Sequence, residues 1–172
     1  MYHLKNYRYL LSFGSNISPR RHYCSRALKA LSQDNIQVIY TSRKIETQPL
    51  VSSIHDTSGH SPYINFITEV RCAFPPNFLY NNIIVPIEDQ IGHSRATRWA
   101  PRKVDIDILL WALDDSEEFI HCSPLKHSRE DVRIPHYDLL NRSFLLNLIA
   151  HRYTPLILNK HLDGHYNHHY KI

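Results

Sequence analysis

A chain of 172 residues with 42% hydrophobic and 21% charged side chains has the make-up of one folded domain, not of a disordered segment. Its formal net charge of +4 favours anionic ligands without distinguishing a nucleotide from RNA. Three cysteines without any CxxC indicate neither a disulfide framework nor a zinc ribbon, and with only 4 glycines there is no G-x-x-x-x-G-K-[ST] phosphate loop. The N-terminal apolar run is too short and too interrupted by tyrosine for a signal peptide, and no run of about 18 apolar residues could span a bilayer. A reducing compartment and a cytoplasmic protein are therefore expected.

Tyr7 to Phe13 reads as a strand closed by a turn at Gly14-Ser15-Asn16. Ser18-Pro19 then reads as an N-cap followed by proline at the first helical position. Cys24, Ala27, Leu28 and Leu31 recur at helical spacing, so a first helix runs to Asp34-Asn35 with one apolar face. Ile36 to Ile45 alternates apolar and polar residues like a half-buried strand. After a polar loop holding Ser52, Ser53, Ser58, Gly59 and Pro62, Tyr63 to Cys72 alternates again, and the two strands are expected to pair. Pro75-Pro76 opens a second helix with apolar positions Phe78, Leu79, Ile83, Ile84, Ile87 and Ile91, ending at Gly92. Pro86 inside it removes a backbone donor and crowds the preceding turn, which predicts a kink or break near Asn82 to Val85. A strand over Val104 to Trp111 follows, then a turn at Asp114-Asp115 and a short edge strand around Phe119 to His121. The order is β-α-β-β-α-β, and the chain closes on a tail, 151–172, with His161, His165, His168 and His169, expected to be solvated and frayed.

The densest chemistry lies in Arg98 to Trp111, RWAPRKVDIDILLW. On a strand, Asp105 and Asp107 share one face while Val104, Ile106 and Ile108 share the other and can enter a core. Two adjacent carboxylates repel and resist burial, so they need water, arginine or a cation between them. Mg²⁺ typically takes one or two protein carboxylates and fills its other positions with water and phosphate oxygens. Arg95, Arg98, Arg102 and Lys103 upstream supply cationic groups that a polyphosphate would also need. Taken alone, an Asp-x-Asp is more often a solvated strand face with surface ion pairs. Its surroundings here favour the metal site.

FGSN near the start, ETQPL after the second strand, PYIN opening the third, RWAPRKVDIDILL, and IPHYDLLNRSFLL near the end together resemble 6-hydroxymethyl-7,8-dihydropterin pyrophosphokinase of the folate pathway. The resemblance covers about 7–149. It implies a single pyrophosphokinase-like domain over 1–172, of α+β class, with a ferredoxin-like β-α-β-β-α-β core and helices packed on an antiparallel sheet. It also implies transfer of the β,γ-pyrophosphoryl group of ATP to the hydroxymethyl group of the dihydropterin, with ATP as co-substrate and two Mg²⁺ ions on Asp105 and Asp107. A monomer acting on small molecules is expected, with no nucleic-acid or membrane partner.

By the same resemblance Arg102 joins the two aspartates as catalytic, and Glu88, Arg95, Arg98, Trp99, Arg102, Ile108, His136, Tyr137 and Arg142 contact ATP. Thr47, Leu50, Tyr63, Asn65 and Phe144 are assigned to the pterin, a flat ring suited to stacking between Tyr63 and Phe144 while Asn65, Thr47 and the backbone near Leu50 read its edge. Taken singly, Tyr63 or Phe144 would more often be ordinary core, and His136 a structural histidine. The chain also departs from the family: Ala100 and Val51 replace glycines, His93 replaces an arginine, and the Gly92 to Trp99 loop is one residue short. The loop between Pro49 and Pro62 is longer. A catalytically impaired binding paralogue is the alternative reading, and a sheet-face RNA binder finds no aromatic and glycine signature to support it.

Overall fold

The computed structural model describes residues 6–33, 35–49, 57, 59–92, 100–114, 125–126, 131–132 and 134–153. Its main sheet has β1 (Tyr7–Ser15) at the centre, antiparallel to β4 (Tyr63–Cys72) on one side and to β5 (Asp105–Leu113) on the other. Beyond β4 lie β2 (Gln37–Thr41) and β3 (Ile45–Thr47), both antiparallel to it. The order β2-β4-β1-β5 of a ferredoxin-like core results, with helices packed on an antiparallel sheet, as expected. The expected strand Ile36 to Ile45 is in fact two strands. Ser42 interrupts it, donating its N–H to the Ile67 carbonyl at 2.9 Å while its hydroxyl accepts the Ile67 N–H at 3.0 Å. One serine thereby takes over the ladder bonds of a break in the strand. β6 (Leu125–Lys126) and β7 (Asp131–Val132) form a separate pair, while the expected strand around Phe119 to His121 lies outside the described residues.

Strand periodicity gives the sheet two apolar faces. On one, Tyr9, Leu11 and Phe13 of β1, Phe66 and Val70 of β4, and Ile106 and Ile108 of β5 meet the helices. Phe13 and Phe66 stack with ring centroids 4.8 Å apart. Helix α1 (Arg20–Leu31) contributes Cys24, Ala27 and Leu31 to that face, as its spacing predicts. Pro19 is its N-cap rather than its first helical residue, and no side-chain cap bond is made, so Ser18 does not cap it. The second helix runs as α2 (Pro76–Phe78), a π-wound stretch Leu79–Ile84, and α3 (Val85–Ile91). Pro86 therefore produces no break. The wider winding just before it accommodates the missing N–H and the ring, the Val85 N–H reaching back to the Tyr80 carbonyl. Gly92 closes α3 with φ of 98°, a left-handed cap that suits glycine. Phe78, expected on the buried face, is 41% exposed and instead stacks on Phe74 at 4.8 Å, while Tyr80 is buried in its place.

The second face is built from Leu10, Ile67, Leu109, Leu110 and Ala112, covered by Leu139 and by Leu145, Leu148 and Ile149 of α4 (Ser143–Ala150). A bulge makes this possible: Leu11 pairs with Ile108 and Leu10 with Leu110, leaving Leu109 as an extra residue on β5. Without it Leu110 and Ala112 would follow Ile106 and Ile108 to the opposite face. Arg152 and Tyr153, at the start of the stretch expected to fray, are held on this face by buried Glu69. Its Oε2 accepts the Tyr153 hydroxyl at 2.7 Å and lies 3.3 Å from Arg152 Nη2, while Oε1 is 3.6 Å from Arg8. The histidines of the tail lie outside the described residues. No helix among the described residues is long and apolar enough to cross a membrane.

Candidate active site

α4 covers only the far half of the second face, and Asp105 and Asp107 occupy the near half. Their side chains are 23% and 29% exposed, while Val104, Ile106 and Ile108 are buried on the other face, as strand alternation requires. Register then lays out the floor of the site. Asp105 pairs with Gly14, and Gly14 with Asn65 on β4; Asp107 pairs with Ser12, and Ser12 with Ile67. A Cβ added to Gly14 would stand 3.1 Å from Asn65 Oδ1 and 3.8 Å from the Tyr63 ring. Glycine therefore leaves an open floor between the carboxylates and the Tyr63–Asn65 pair.

Three cations or polar groups bracket the carboxylates. Arg102 donates from Nη1 to Asp105 Oδ1. Its guanidinium is held charged: burial works against the charge, but the adjacent Asp105, then Asp107 and Glu88, outweigh it. Arg142, just before α4, donates from Nε to Asp138 Oδ2 at 2.8 Å, and burial of its charge is again outweighed, chiefly by Asp107. His136 has Nε2 3.8 Å from Asp107 Oδ1. Its Nδ1 accepts the Asp138 N–H at 3.3 Å, so the neutral ring carries its proton on Nε2, facing the carboxylate. The main chain of His136 is tied to the bulge, its N–H donating to the Leu109 carbonyl at 3.1 Å. Even so, burial first and the Asp105 charge second push the Asp107 carboxyl above the ordinary carboxylate range. Tyr63 sits in the same field: its hydroxyl is shifted up by burial, with Arg102, Asp105 and Arg142 as its charged neighbours.

Asn65 donates from Nδ2 to Thr47 Oγ1 at 2.8 Å across the β3–β4 pair, which leaves its carbonyl oxygen toward Gly14. Phe144 is half-buried at the start of α4 against the second core cluster, and Tyr137 is 43% exposed beside His136, ring centroids 4.6 Å apart. Asp105, Asp107, Arg102, His136, Arg142, Tyr63, Asn65 and Thr47 are thus brought together by direct contact, register or a shared field. Two expected residues are placed differently. Ile108 is 2% exposed with its side chain in the helix-side core, and Glu88, also 2% exposed, accepts the Ile106 N–H at 2.7 Å, supporting β5 between the two aspartates. Leu50, Arg95, Arg98 and Trp99 lie outside the described residues, as do Val51 and His93. Sequence gave Asp138 no role and Gly14 only that of a turn residue, whereas Gly14 lies within β1 and Asp138 and Arg142 stand four apart, the spacing of a local ion pair.

No group of three or more His, Cys, Asp and Glu side chains that could hold a metal occurs among the described residues. Asp105 and Asp107 alone do not close a coordination shell, which is the donor set suited to Mg²⁺ rather than to a structural Zn²⁺ site. Burial first and the Asp105 charge second outweigh the lowering influence of His136, Arg142 and Arg102 on the Asp107 carboxyl.

The described residues thus assemble a carboxylate pair with arginines beside it and, across Gly14, a Tyr63–Asn65 pair. The chain is 31% identical over 140 residues to a folate synthesis bifunctional protein of Chlamydia muridarum, which covers 81% of this chain but only 29% of that protein. It is also similar to the 2-amino-4-hydroxy-6-hydroxymethyldihydropteridine pyrophosphokinases of Haemophilus influenzae (30% identity; 79% of this chain, 75% of that one) and Bacillus subtilis (28%; 81% and 74%). Residues 10–152 match the family model of 7,8-dihydro-6-hydroxymethylpterin-pyrophosphokinase, and the chain belongs to that family.

Proposed function

We propose that this protein transfers the β,γ-pyrophosphoryl group of ATP to the hydroxymethyl oxygen of 6-hydroxymethyl-7,8-dihydropterin. The hydroxyl oxygen bonds to the β-phosphorus, the bond from that phosphorus to the α,β-bridging oxygen breaks, and AMP leaves; the hydroxyl proton passes to solvent. The observation that carries the reading is the placement of Asp105 and Asp107 on one face of β5, opposite Gly14 and beside Arg102, His136 and Arg142. Such a transfer needs neutralised phosphates and in-line alignment more than a strong base.

Two Mg²⁺ ions held by Asp105 and Asp107 would draw charge from the triphosphate and lower the pKa of the attacking hydroxyl. Arg102 and Arg142 offer planar, forked donors to the phosphates, and Asp138 fixes the direction of Arg142. His136 presents Nε2–H and Tyr137 an exposed ring to the nucleotide, with Ile108 meeting it through main chain at the outer side of β5. Arg95, Arg98 and Trp99 would close over ATP, and Glu88 serves this site through the Ile106 N–H. The pterin lies over Gly14 between Tyr63 and Phe144, with Asn65, Thr47 and the backbone at Leu50 on its edge. A cytoplasmic monomer fits this small-molecule chemistry.

The test is product analysis with ATP, Mg²⁺ and the dihydropterin. AMP and the pterin diphosphate are expected, with turnover abolished by a chelator and restored by Mg²⁺. ADP in place of AMP, or binding without turnover, would overturn the proposal, the latter in favour of an impaired binding protein.

A further inference from the structure

The residue after β1 is tied to the main chain of Arg102. Asn16 is 3% exposed, and its backbone N–H donates to the Arg102 carbonyl at 3.1 Å. Its Oδ1 accepts the Arg102 N–H at 2.7 Å. One residue, through its backbone N–H and its side-chain oxygen, thus engages both the carbonyl and the N–H of Arg102, just beyond Gly14–Asp105 where the β1–β5 ladder ends. The guanidinium of Arg102 is left free of Asn16 and reaches three residues on to Asp105.

The chemistry of the amide argues that this clamp is more than packing. With Oδ1 committed to Arg102, Asn16 Nδ2 is buried with no hydrogen-bond partner among the described residues, a loss that a residue kept only for stability would not carry. Aspartate could accept the same N–H without an orphaned donor. It would also place a third carboxylate beside Asp105 and Asp107, where it would compete for Arg102 and add repulsion. Asparagine is the residue that holds the Arg102 main chain while leaving its guanidinium to the carboxylates and their ligand.

We infer that Asn16 is a positioning residue: it acts through the main chain of Arg102 to aim that guanidinium at the polyphosphate. The inference rests on the placement of Arg102 at the phosphates given above. Its test is a double-mutant cycle of Asn16→Ala and Arg102→Ala, reading kcat, the KM of each substrate, and calorimetric affinity for a non-hydrolysable ATP analogue. Asn16→Ala is expected to lower kcat/KM for ATP about 10-fold with pterin KM within about 2-fold, and to weaken the analogue similarly. In the Arg102→Ala background, removing Asn16 should cost no more than about 2-fold, because the group it aims is gone. Asn16→Ser, which keeps an uncharged acceptor, should retain more ATP affinity than Asn16→Ala. Full additivity of the two losses would overturn the inference, as would equal damage to both substrates or failure of both Asn16 variants to fold. If Arg102→Ala alone leaves ATP affinity unchanged, it is the placement of Arg102 at the phosphates that fails, and the inference with it.

Discussion

Replacing Asp107 by asparagine should make the protein more stable at neutral pH while removing its activity. The wild-type carboxylate is half-buried at 29% side-chain exposure, and burial followed by Asp105 holds its pKa above the ordinary value. The folded chain therefore binds this proton more tightly than the unfolded chain does, so ionising Asp107 costs native stability. Below the ordinary carboxylate value of about 3.9 both states are protonated and nothing is lost. As pH rises through the elevated folded value the loss grows, and above it the loss is complete. Strand side chains two residues apart stand about 7 Å from one another, where two unit charges at an effective dielectric near 20 repel by about 2.4 kcal/mol. Asparagine forgoes the attraction of His136, Arg142 and Arg102, and a net gain of about 1 kcal/mol remains, or about 2–4 °C in Tm for a chain of this length. Thermal unfolding of both proteins at pH 7.5 and pH 3.5 measures it. The gain should be present at the higher pH and absent at the lower, and turnover should fall by about 10²-fold or more. A gain that persists at pH 3.5, or a loss of stability at pH 7.5, would refute the charge argument; near-normal turnover would remove Asp107 from the chemistry.

Gly14→Ala should raise the pterin KM about 10-fold while changing the ATP KM far less, since its new methyl meets Asn65 at 3.1 Å and Tyr63 at 3.8 Å; steady-state kinetics varying each substrate separates the two. Asp138→Ala frees the Arg142 guanidinium and should raise the ATP KM several-fold, measured against an unchanged pterin KM. Burial raises the Asp138 pKa, but bonding to Arg142 lowers it further, so this carboxylate adds stability above the ordinary value that is lost as pH falls through the folded value. Chemical denaturation from pH 6 to pH 3 should therefore show the wild type losing an advantage over Asp138→Ala. Tyr153→Phe removes a 2.7 Å bond to buried Glu69 and should cost about 1.5–3 kcal/mol by urea unfolding, with kcat at 25 °C unchanged.

Periodicity exposes what depends on one element and hides what depends on two. The helical spacing of Cys24, Ala27 and Leu31 and the alternation around Asp105 and Asp107 are local properties, and both elements fold as that spacing requires. The bulge at Leu109 is a property of pairing with Leu10 and Leu11, and nothing in ILLW marks it. Ser42 looked like one more polar residue on an alternating strand until Ile67, 25 positions on, supplied its partners. At the site, the aspartates stood out by their spacing on one strand, and Arg102 and the PHYD–NRSF residues by the family resemblance; the structure brings Asp105, Asp107, Arg102, His136 and Arg142 close to one another. Asn16 was read as a turn residue, and Glu88 as a ligand contact, because their bonds go to the main chain, which has no sequence signature. The link from Tyr153 to Glu69 spans 84 positions and is invisible to any local pattern.

The π-wound stretch Leu79–Ile84 has an effect on angular phase. The buried positions there fall into two rows with a four-residue step, Leu79, Ile83, Ile87 and Ile91 in one and Tyr80, Ile84 and Glu88 in the other. In a regular α-helix four residues turn about 400°, so each step drifts by about 40° and three steps by about 120°. Such a row would wind off the sheet before its last member. A turn closed by i→i+5 bonds rotates less per residue and counteracts that drift. Both rows then stay over one line of contact, and the second ends on Glu88, whose carboxylate arrives at the Ile106 N–H between Asp105 and Asp107. A one-residue deletion in 79–84 that restored α-winding would keep every side chain of α3 and still misdirect that carboxylate.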